Sequence, residues 1–457
     1  MICDMNKMRA IVSKWFPAGS VARSVSVLAG GTAASQALAV AVTPILTRIY
    51  RAEDFGYLQI YLSIVMLGSL AVTLRYELAV LLPEQEEVAA STVAAALCGV
   101  ALMTVILTLA TWLVYVRDLL PSNAAGLRAY LWVIPVAVCG AGVYQVLSSW
   151  ALRLRDYTKV AKTRLTQAVG QLGTQLGVGL WHASPLGLLL GDAVGRAGGS
   201  LTLARLLRSR SWHAFRSISW RTVWKAAQRY RRFPLVSSWS SLLNMGGYSV
   251  PPLLLAGIYG AKVLGWFALG YRVLGAPTLL IGLAVSQVYS VEAAAFSCSD
   301  PKALHSLFLR SIKRLALLGT IPFLLFFTFS PSIFAIVFGE SWREAGVYAR
   351  LLAPMHYIAF ICWPLTQTLN VLEQQFWQLS WDVSRILITC GSLWIALHWG
   401  GSARVAIGAF SAAMFITYAF HLALCELAIR KRIREFQTLD CTRAVAVRPE
   451  YAELKEI

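Results

Sequence analysis

The stretch Pro44–Pro83, PILTRIYRAEDFGYLQIYLSIVMLGSLAVTLRYELAVLLP, decides the fold of this chain. An apolar segment ends at Arg48, a short charged corner follows, and a second apolar segment continues to the end of the stretch. This second segment has the length of a membrane span, but it carries Arg75 and Glu77. A charged side chain at the centre of a bilayer costs about 2.5–3.5 kcal/mol on insertion scales. We therefore expect part of this helix to face something other than lipid.

The composition indicates an integral membrane protein. Of the 457 residues, 57% are hydrophobic and 14% are charged, and the mean hydropathy is +0.61. Soluble domains carry about 25% charged residues, so a soluble globular protein is excluded as a class. Apolar runs of about 20 residues recur along the chain, as a bilayer core of about 30 Å requires. We predict an all-α, multi-pass membrane protein, because a β-barrel would show short alternating segments instead.

Twelve apolar segments are long enough to be spans. The connections between most of them are short and leave no room for an extracytoplasmic domain, and the longest hydrophilic connection is Arg205–Phe233. The predicted spans are residues 25–47, 56–82, 88–116, 129–152, 160–181, 184–206, 235–258, 264–289, 313–338, 347–371, 376–398 and 404–429.

The net charge of +19 does not point to nucleic acid, because most Lys and Arg lie in short segments between apolar runs. Cytoplasmic loops of membrane proteins carry this excess of positive charge. The basic clusters after the fourth span, in Arg205–Phe233 and in the C-terminal tail fall on one side, so we predict that both termini are cytoplasmic. The first 24 residues lack the apolar core and cleavage site of a signal peptide. We expect residues 1–23 to be a basic cytoplasmic lead-in.

A weak internal repeat relates the two halves of the chain. Ile49–Tyr57 aligns with Ile258–Trp266 at a constant offset of 209, and Ile, Tyr, Ala and Gly recur before a final aromatic residue. We predict two six-helix lobes: residues 1–233 with the basic lead-in and basic linker, and residues 234–457 with a basic cytoplasmic tail. Six is an even number, so both lobes would begin on the same side, related about an axis along the membrane normal.

The sequence contains no pattern typical of catalysis, nucleotide binding or metal binding. The phosphate-binding pattern GxxxxGK[ST] and the metal-binding pattern HExxH are both missing. The eight cysteines form no CxxC pair, and most lie inside apolar runs, where cysteine behaves as a small hydrophobic residue. We predict a protein that is not an enzyme and holds no resident cofactor or metal.

Two carboxylates inside predicted spans have an arginine within helical reach. Asp192 and Arg196 are four residues apart in the sixth span, and Asp382 and Arg385 are three apart in the eleventh. Side chains at these spacings share a helix face and can form ion pairs. Each pair is interpreted either as a structural pair within its lobe or as part of an ion-coupling site.

Other intramembrane charges have no such partner in helical register. Arg75 and Glu77 are two residues apart, so in a continuous helix they would point in different directions and each would need a partner elsewhere. No acidic residue lies three or four positions from Arg272 or Arg350. Guanidinium groups bind phosphate through paired, charge-assisted hydrogen bonds. We predict an anion site that uses Arg75 and Arg272, with Arg48 and Arg350 as further candidates.

The run TRIYRAEDFGYLQIYLSI, followed by LRYELAVLLP, resembles the polysaccharide exporter branch of the MOP (MATE-like) superfamily, the Wzx-type O-antigen and exopolysaccharide flippases. The resemblance is most specific in Pro44–Pro83, and the Tyr271–Arg272 pair extends it. It implies two six-helix bundles around a central cationic cavity. It also implies transport of undecaprenyl-diphosphate-linked oligosaccharide across the bacterial inner membrane, with a polysaccharide polymerase and assembly proteins as expected partners.

The leading hypothesis is thus a flippase that works by alternating access in cell-surface polysaccharide synthesis. Arg75 and Arg272 would hold the diphosphate, and Arg48 would attract it at the outer mouth. The candidates for coupling to protons or sodium are Glu77, Asp192 and Asp382. One alternative is a MATE-like, cation-coupled exporter of small molecules, which would prefer a cavity of net negative charge. Another is a membrane glycan polymerase or ligase, against which the short outer loops argue.

Overall fold

The structure is a computed structural model that describes residues 21–447, with side chains for residues 30–438 apart from 122, 236–241 and 243–244. The predicted basic lead-in, residues 1–23, lies almost entirely outside the described residues. Helices make up nearly all of residues 21–447, and these residues contain no strand. The α-helices are α1 (Val21–Ile49), α2 (Ala52–Ala71), α3 (Tyr76–Ala79), α4 (Glu86–Val116), α5 (Val133–Arg153), α6 (Tyr157–Trp181), α7 (Pro185–Ala197), α8 (Ser200–Arg216), α9 (Trp220–Arg229), α10 (Ser238–Ser299), α11 (Pro301–Phe338), α12 (Arg343–Cys362), α13 (Gln367–Val371), α14 (Gln375–His398) and α15 (Ala403–Val447).

Short segments of other helical types join some of these helices. Three 3₁₀ segments cover Ser122–Tyr130, Glu340–Trp342 and Trp363–Leu365, and a π-helical turn covers Phe233–Ser237. Turns of these kinds are common where one helix ends and the next begins.

The helices follow the predicted spans closely. Each of the twelve predicted segments lies largely within one or two of the helices. Among the described residues, seven helices are long and apolar enough to cross a membrane by themselves. They are Ala52–Ala71, Glu86–Val116, Val133–Arg153, Met245–Ser299, Pro301–Phe338, Glu340–Val371 and Ala403–Thr438. The protein is therefore a multi-pass helical membrane protein, while the count of twelve and the cytoplasmic termini stay predictions.

The seventh and eighth predicted spans follow each other in α10 with a sharp kink between them. Gly260 has φ 85° and ψ 170°, a backbone conformation that is open essentially to glycine alone. In the sequence repeat Gly260 aligns with Arg51, which lies between α1 and α2 with φ −82° and ψ 164°. Both copies of the repeat therefore place a residue with non-helical backbone angles at the equivalent position between two helical segments.

The two copies of the repeat also contact each other reciprocally. A Cβ atom added to Gly56 would collide with the backbone of Ala261, and one added to Gly265 would collide with the backbone of Ala52. Gly56 aligns with Gly265, and Ala52 aligns with Ala261, at the same offset of 209. Glycine allows helix backbones to approach this closely. Such exchanged contacts are what two equivalent corners produce when an approximate two-fold axis passes between them.

The loops next to the corners repeat the same exchange. The side chain of Asn123 donates a hydrogen bond to the carbonyl of Gly257 (3.0 Å), and the indole of Trp342 donates one to the carbonyl of Thr47 (2.9 Å). Phe55 packs edge-on against Trp342, with ring centroids 5.1 Å apart. Each corner is thus capped by a loop from the other half of the sequence.

The chain divides into two compact units. The first is formed by Met1–Ala268 and Val337–Trp342, and the second by Leu269–Ile336 and Arg343–Ile457. The corner contacts described above all lie within the first unit. The predicted lobe boundary at residues 233 and 234 stays a prediction.

Each unit has its own buried core. In the first, residues of α5, α6 and α8 pack together, and the Tyr144 hydroxyl lies 2.9 Å from the hydroxyl of Thr163. In the second, residues of α10, α11, α13 and α15 pack together, and the Tyr289 hydroxyl lies 2.7 Å from that of Thr368. In both cores a tyrosine–threonine contact satisfies the buried polar atoms, as burial requires.

Candidate functional site

The predicted span 56–82 is not a continuous helix, because it breaks at the charged residues Arg75 and Glu77. Helix α2 ends at Ala71, and a new short helix, α3, begins at Tyr76. Between them Leu74 and Arg75 have φ values of 51° and 61°, in the left-handed region that side chains rarely adopt. Residues held in such conformations cost about 1–3 kcal/mol each and cluster at functional sites.

The break overturns the expectation that Arg75 and Glu77 point in different directions. An Nη atom of Arg75 lies 3.3 Å from a carboxylate oxygen of Glu77, and the two form an ion pair. The expectation assumed helical geometry, in which residues two apart lie on different faces. In the left-handed turn at Arg75 the side chain is turned back toward Glu77 instead.

The Glu77 carboxylate is buried and has a second partner. The Thr73 hydroxyl, which is also buried, donates a hydrogen bond of 2.5 Å to the other carboxylate oxygen. A buried carboxylate is stable only when it is paired and hydrogen-bonded. Thr73 and Arg75 together meet that condition, so Glu77 fixes the two sides of the helix break to each other.

Arg75 differs from Glu77 in being partly accessible. Its side chain is 22% exposed, whereas that of Glu77 is 8% exposed. Small residues on neighbouring helices leave room for the break: Gly99 of α4 faces the side chain of Leu74, and Gly142 of α5 faces Val72. The first unit therefore presents a partly exposed guanidinium from an irregular point inside a membrane helix.

The segment after the break is held by polar contacts from two other helices. Arg153, at the end of α5, donates hydrogen bonds to the carbonyls of Val80 (3.3 Å) and Glu84 (3.1 Å). The Tyr76 hydroxyl donates one of 3.1 Å to the carbonyl of Ala227 in α9. The linker helix α9 is thus connected directly to the segment that carries Arg75.

The corner between α1 and α2 is a rigid structural joint. The Tyr50 hydroxyl donates a hydrogen bond of 2.6 Å to the carbonyl of Gln175 in α6. Burial, with a smaller contribution from the Asp54 carboxylate, raises the pKa of Tyr50 to about 12, so the hydroxyl stays protonated and remains a donor. Arg48, in the last turn of α1, is exposed, and its predicted role at an outer mouth stays a prediction.

Asp192 and Arg196 form the local pair that their spacing predicts. The Nε atom of Arg196 donates a hydrogen bond of 2.6 Å to a carboxylate oxygen of buried Asp192, within α7. Tyr61 of α2 is fully buried beside this pair. The Asp192 carboxylate is thus satisfied within α7 itself.

Asp382 and Arg385 also form the predicted pair, in the second unit. An Nη atom of Arg385 lies 3.3 Å from a carboxylate oxygen of Asp382, and the guanidinium carbon lies 4.7 Å from the centre of the Trp381 ring. Arg385 is completely buried. An arginine enclosed in this way is unavailable to a ligand.

The surroundings of this pair form a buried polar cluster that the sequence did not predict. His421 of α15 lies 3.2 Å from the side-chain oxygen of Gln378, and Gln378 in turn lies 3.5 Å from Asp382. The other ring nitrogen of His421 lies 3.6 Å from the thiol of Cys362 and 3.5 Å from that of Cys425. The histidine sits far from the aspartate in sequence, so only the packing of α15 on α14 reveals the cluster.

Two further predicted anion ligands lie in the second unit. Arg272 in α10 is half-buried, and the preceding Gly270 packs closely against Ala345 and Ala349 of α12. Arg350 in α12 is exposed and donates a hydrogen bond of 2.8 Å to the carbonyl of Thr328. The structure assigns neither residue a ligand, so their role in anion binding stays a prediction.

Among the side chains that the structure describes, no group of three or more His, Cys, Asp or Glu is placed to hold a metal ion. The arginines and carboxylates of the candidate sites offer electrostatic chemistry. Guanidinium groups can hold an anion, and carboxylates can exchange an arginine for another cation.

The sequence of the chain matches one known protein family. The sequence profile of a family described as polysaccharide biosynthesis protein matches residues 45–347. This match includes the corner, the helix break at Arg75, and Arg272. No curated protein matches the chain in sequence.

Solved structures show a similar fold. A multidrug resistance MATE family transporter of the MOP superfamily, solved in an inward-facing conformation, has a TM-score of 0.58 at 14% identity, covering 90% of this chain and 95% of that chain. A MOP superfamily transporter from Pyrococcus furiosus, whose binding pocket is described as having reverse polarity, has a TM-score of 0.57 at 14% identity, covering 91% and 97%. A mutant of the Vibrio cholerae MATE transporter VcmN has a TM-score of 0.54 at 14% identity, covering 90% and 96%.

Proposed function

The chain belongs to the polysaccharide biosynthesis protein family and has the fold of MOP-superfamily transporters, and from this premise we propose that it is a flippase for a lipid-linked oligosaccharide. The cargo would be undecaprenyl-diphosphate-linked, and alternating access would carry it across the bacterial inner membrane. The family and the fold support a transporter rather than an enzyme, and the roles proposed for the candidate arginines and carboxylates are electrostatic.

Arg75 is the observation that supports this proposal most strongly. It is a partly exposed guanidinium on a left-handed break inside a membrane helix, where a charged side chain is costly. Guanidinium suits a diphosphate, because it offers two parallel donors and keeps its charge. We propose Arg75 as a diphosphate ligand in the first unit and Arg272 as one in the second.

The Arg75–Glu77 pair offers a way to couple cargo to an ion. A diphosphate that binds Arg75 competes with Glu77 for the same guanidinium. Glu77 would then be a buried carboxylate without its arginine, which favours uptake of a proton or Na⁺ at that oxygen. Asp192 and Asp382 are proposed less strongly for this role, because taking up an ion would require releasing Arg196 or the buried Arg385.

This proposal can be tested in cells by deleting the gene. The measurement is the membrane leaflet in which the lipid-linked intermediates accumulate. We expect the intermediates to accumulate on the cytoplasmic leaflet and surface polysaccharide to be lost. Arg75→Gln and Arg272→Ala should fail to restore export at normal protein levels in the membrane. Arg404→Gln removes an exposed arginine paired with Glu344 and should restore it. Normal surface polysaccharide in the deletion strain would contradict the proposal.

A MATE-like exporter of small cations is the second candidate, favoured by the fold of the solved relatives. Its cargo would be attracted by carboxylates, but Glu77, Asp192 and Asp382 each have an arginine as partner. Sensitivity of the deletion strain to a panel of cationic dyes separates the two candidates. Increased sensitivity with unchanged surface polysaccharide would favour the exporter.

We propose that the polysaccharide polymerase and assembly proteins of the same synthesis are its partners, with no nucleic acid involved. Co-purification of the tagged chain from native membranes tests the first of these expectations. Recovery of glycan-synthesis proteins with the wild type, at levels above an unrelated tagged membrane protein, is the expected result.

A further inference from the structure

The segment that runs from the middle of α8 to just before α10 carries only one sign of charge. Residues 205–232 contain nine basic residues and no Asp or Glu. The basic residues are Arg205, Arg208, Arg210, Arg216, Arg221, Lys225, Arg229, Arg231 and Arg232. A helical segment of this composition repels itself unless it lies beside negative charge.

Helix α9, within this segment, has three different faces. Val223 and Ala226 are buried against the first unit, where α9 packs on α4. Trp220 and Trp224, one turn apart, are 71% and 57% exposed. Tryptophan is enriched at the interface between lipid and water. The buried face fixes the helix to the protein and leaves a pair of indoles free to enter that interface.

The third face is basic and opens into a pocket. Arg221, Lys225 and Arg229 follow one another at four-residue spacing, which places them on one side of the helix. Lys225 and Arg229 line a pocket of about 310 Å³ between α9 and the start of α4. The other polar lining residues are Ser91, Ser217, Thr222 and Glu87.

The pocket has the chemistry of a phosphate site. Two cations line it against the single carboxylate of Glu87. The hydroxyls of Ser91, Ser217 and Thr222 each donate to a nearby backbone carbonyl. Lysine and arginine are the usual charged ligands of a phosphate oxygen. The volume accommodates a headgroup rather than a single ion.

We propose that α9 and this pocket bind an anionic phospholipid of the cytoplasmic leaflet, with Lys225 and Arg229 on the headgroup phosphate and Trp220 and Trp224 in the interface. Basic clusters on amphipathic helices next to membrane spans attract anionic lipid, and the two indoles supply the apolar contribution that a soluble anion would not use. This inference is independent of the cargo proposed above.

The site is connected to the helix break. The Tyr76 hydroxyl donates its hydrogen bond to the carbonyl of Ala227, on α9 itself. Tyr76 follows Arg75 directly in sequence. Lipid bound to α9 thereby holds the linker in the position that supports the Arg75 segment.

Binding of short-chain phosphatidylglycerol to the purified full-length protein tests the proposal. Thermal unfolding in neutral detergent at about 0.15 M salt is followed as the lipid is titrated. Short-chain phosphatidylcholine and inorganic phosphate are titrated in parallel. We expect saturable stabilisation by phosphatidylglycerol alone. Each basic residue near an anionic surface raises the lipid affinity roughly fivefold, so Lys225→Gln/Arg229→Gln should bind about 25-fold more weakly.

Two further variants keep the test decisive. Lys162→Gln/Lys302→Gln removes the same charge from exposed positions elsewhere and should bind as the wild type does. Trp220→Ala/Trp224→Ala changes exposed side chains only, so it should fold and yet bind phosphatidylglycerol more weakly. Equal weakening in both charge variants, equal stabilisation by phosphatidylcholine, or saturable stabilisation by inorganic phosphate at the same concentrations would each overturn the proposal.

Discussion

Two arginine–carboxylate pairs of the same length lie in very different surroundings. Arg75 and Glu77 are 3.3 Å apart at a helix break, and Arg385 and Asp382 are 3.3 Å apart on a continuous helix. The Arg75 side chain is 22% exposed, whereas that of Arg385 is 0% exposed. A short ion-pair distance alone therefore does not separate a structural charge from a functional one.

The difference lies in what holds each cation. Arg385 is enclosed by Trp381 on its own helix and by the polar cluster around His421. Arg75 is held at an irregular point of the backbone, with part of its guanidinium accessible. We infer that the Arg385–Asp382 pair stabilises the fold, and we propose that Arg75 of the Arg75–Glu77 pair is available to a ligand.

Removing Arg385 should have the largest effect on stability. Arg385→Met leaves Asp382 buried without its cation, which costs about 3–5 kcal/mol. The variant should be lost from the membrane, and size-exclusion chromatography of detergent extracts would show this. Adding Asp382→Asn should restore much of the protein. A single variant that is present at normal levels but inactive in export would place Arg385 in the functional site.

Removing Arg75 should destabilise the protein less than removing Arg385 and should strongly reduce export. Arg75→Gln keeps a donor near Glu77, and Thr73 still donates to the carboxylate, so the cost should stay below the value of about 3–5 kcal/mol expected for Arg385→Met, which leaves no donor in place of the guanidinium. Export should fall by at least about tenfold, since one good charge-assisted contact contributes more than 1.4 kcal/mol. Surface polysaccharide per unit of membrane protein measures it. Instability as large as that of Arg385→Met would contradict the proposed difference between the two arginine–carboxylate pairs.

Neutralising Glu77 should separate transport of the cargo from its dependence on an ion gradient. Glu77→Gln retains a hydrogen-bond acceptor for Thr73 and leaves Arg75 without its competing carboxylate. Transport should persist at a rate reduced by several-fold and lose its dependence on a proton or sodium gradient. Transport by reconstituted protein with and without imposed gradients is the measurement. An undiminished gradient dependence would remove Glu77 from coupling.

Tyr76→Phe should have the smallest effect. It removes the hydrogen bond to Ala227 between the broken span and α9, which contributes about 0.5–1.5 kcal/mol. The thermal midpoint should fall slightly, and accessibility of a cysteine introduced at exposed Gln228 should increase. No change in either would mean that the linker does not support the Arg75 segment.

Several features followed from the sequence by local rules. The pairs Asp192–Arg196 and Asp382–Arg385 were predictable, because spacings of four and three place side chains on one helix face. The corner at Ile49–Tyr57 was predictable from its repeat, and the exchanged contacts of Gly56 and Gly265 explain why glycine recurs there.

The break at Arg75 was not predictable by the same rules. The residues Thr73, Leu74 and Arg75 include neither glycine nor proline, the residues that usually interrupt a helix. Room for the left-handed turn comes from Gly99 and Gly142 on other helices. The pairing of Arg75 with Glu77 was therefore predicted wrongly, because tertiary packing overrode the local helical geometry.

Transport in proteoliposomes tests the central claim most directly. Purified protein is reconstituted with a labelled undecaprenyl-diphosphate-linked oligosaccharide, and the label in the outer leaflet is followed with a membrane-impermeant reagent. Wild type and Arg404→Gln should move the lipid between leaflets, and Arg75→Gln should do so at least about tenfold more slowly. Wild-type vesicles that exchange label no faster than protein-free vesicles, or an Arg75→Gln rate equal to wild type, would contradict the account.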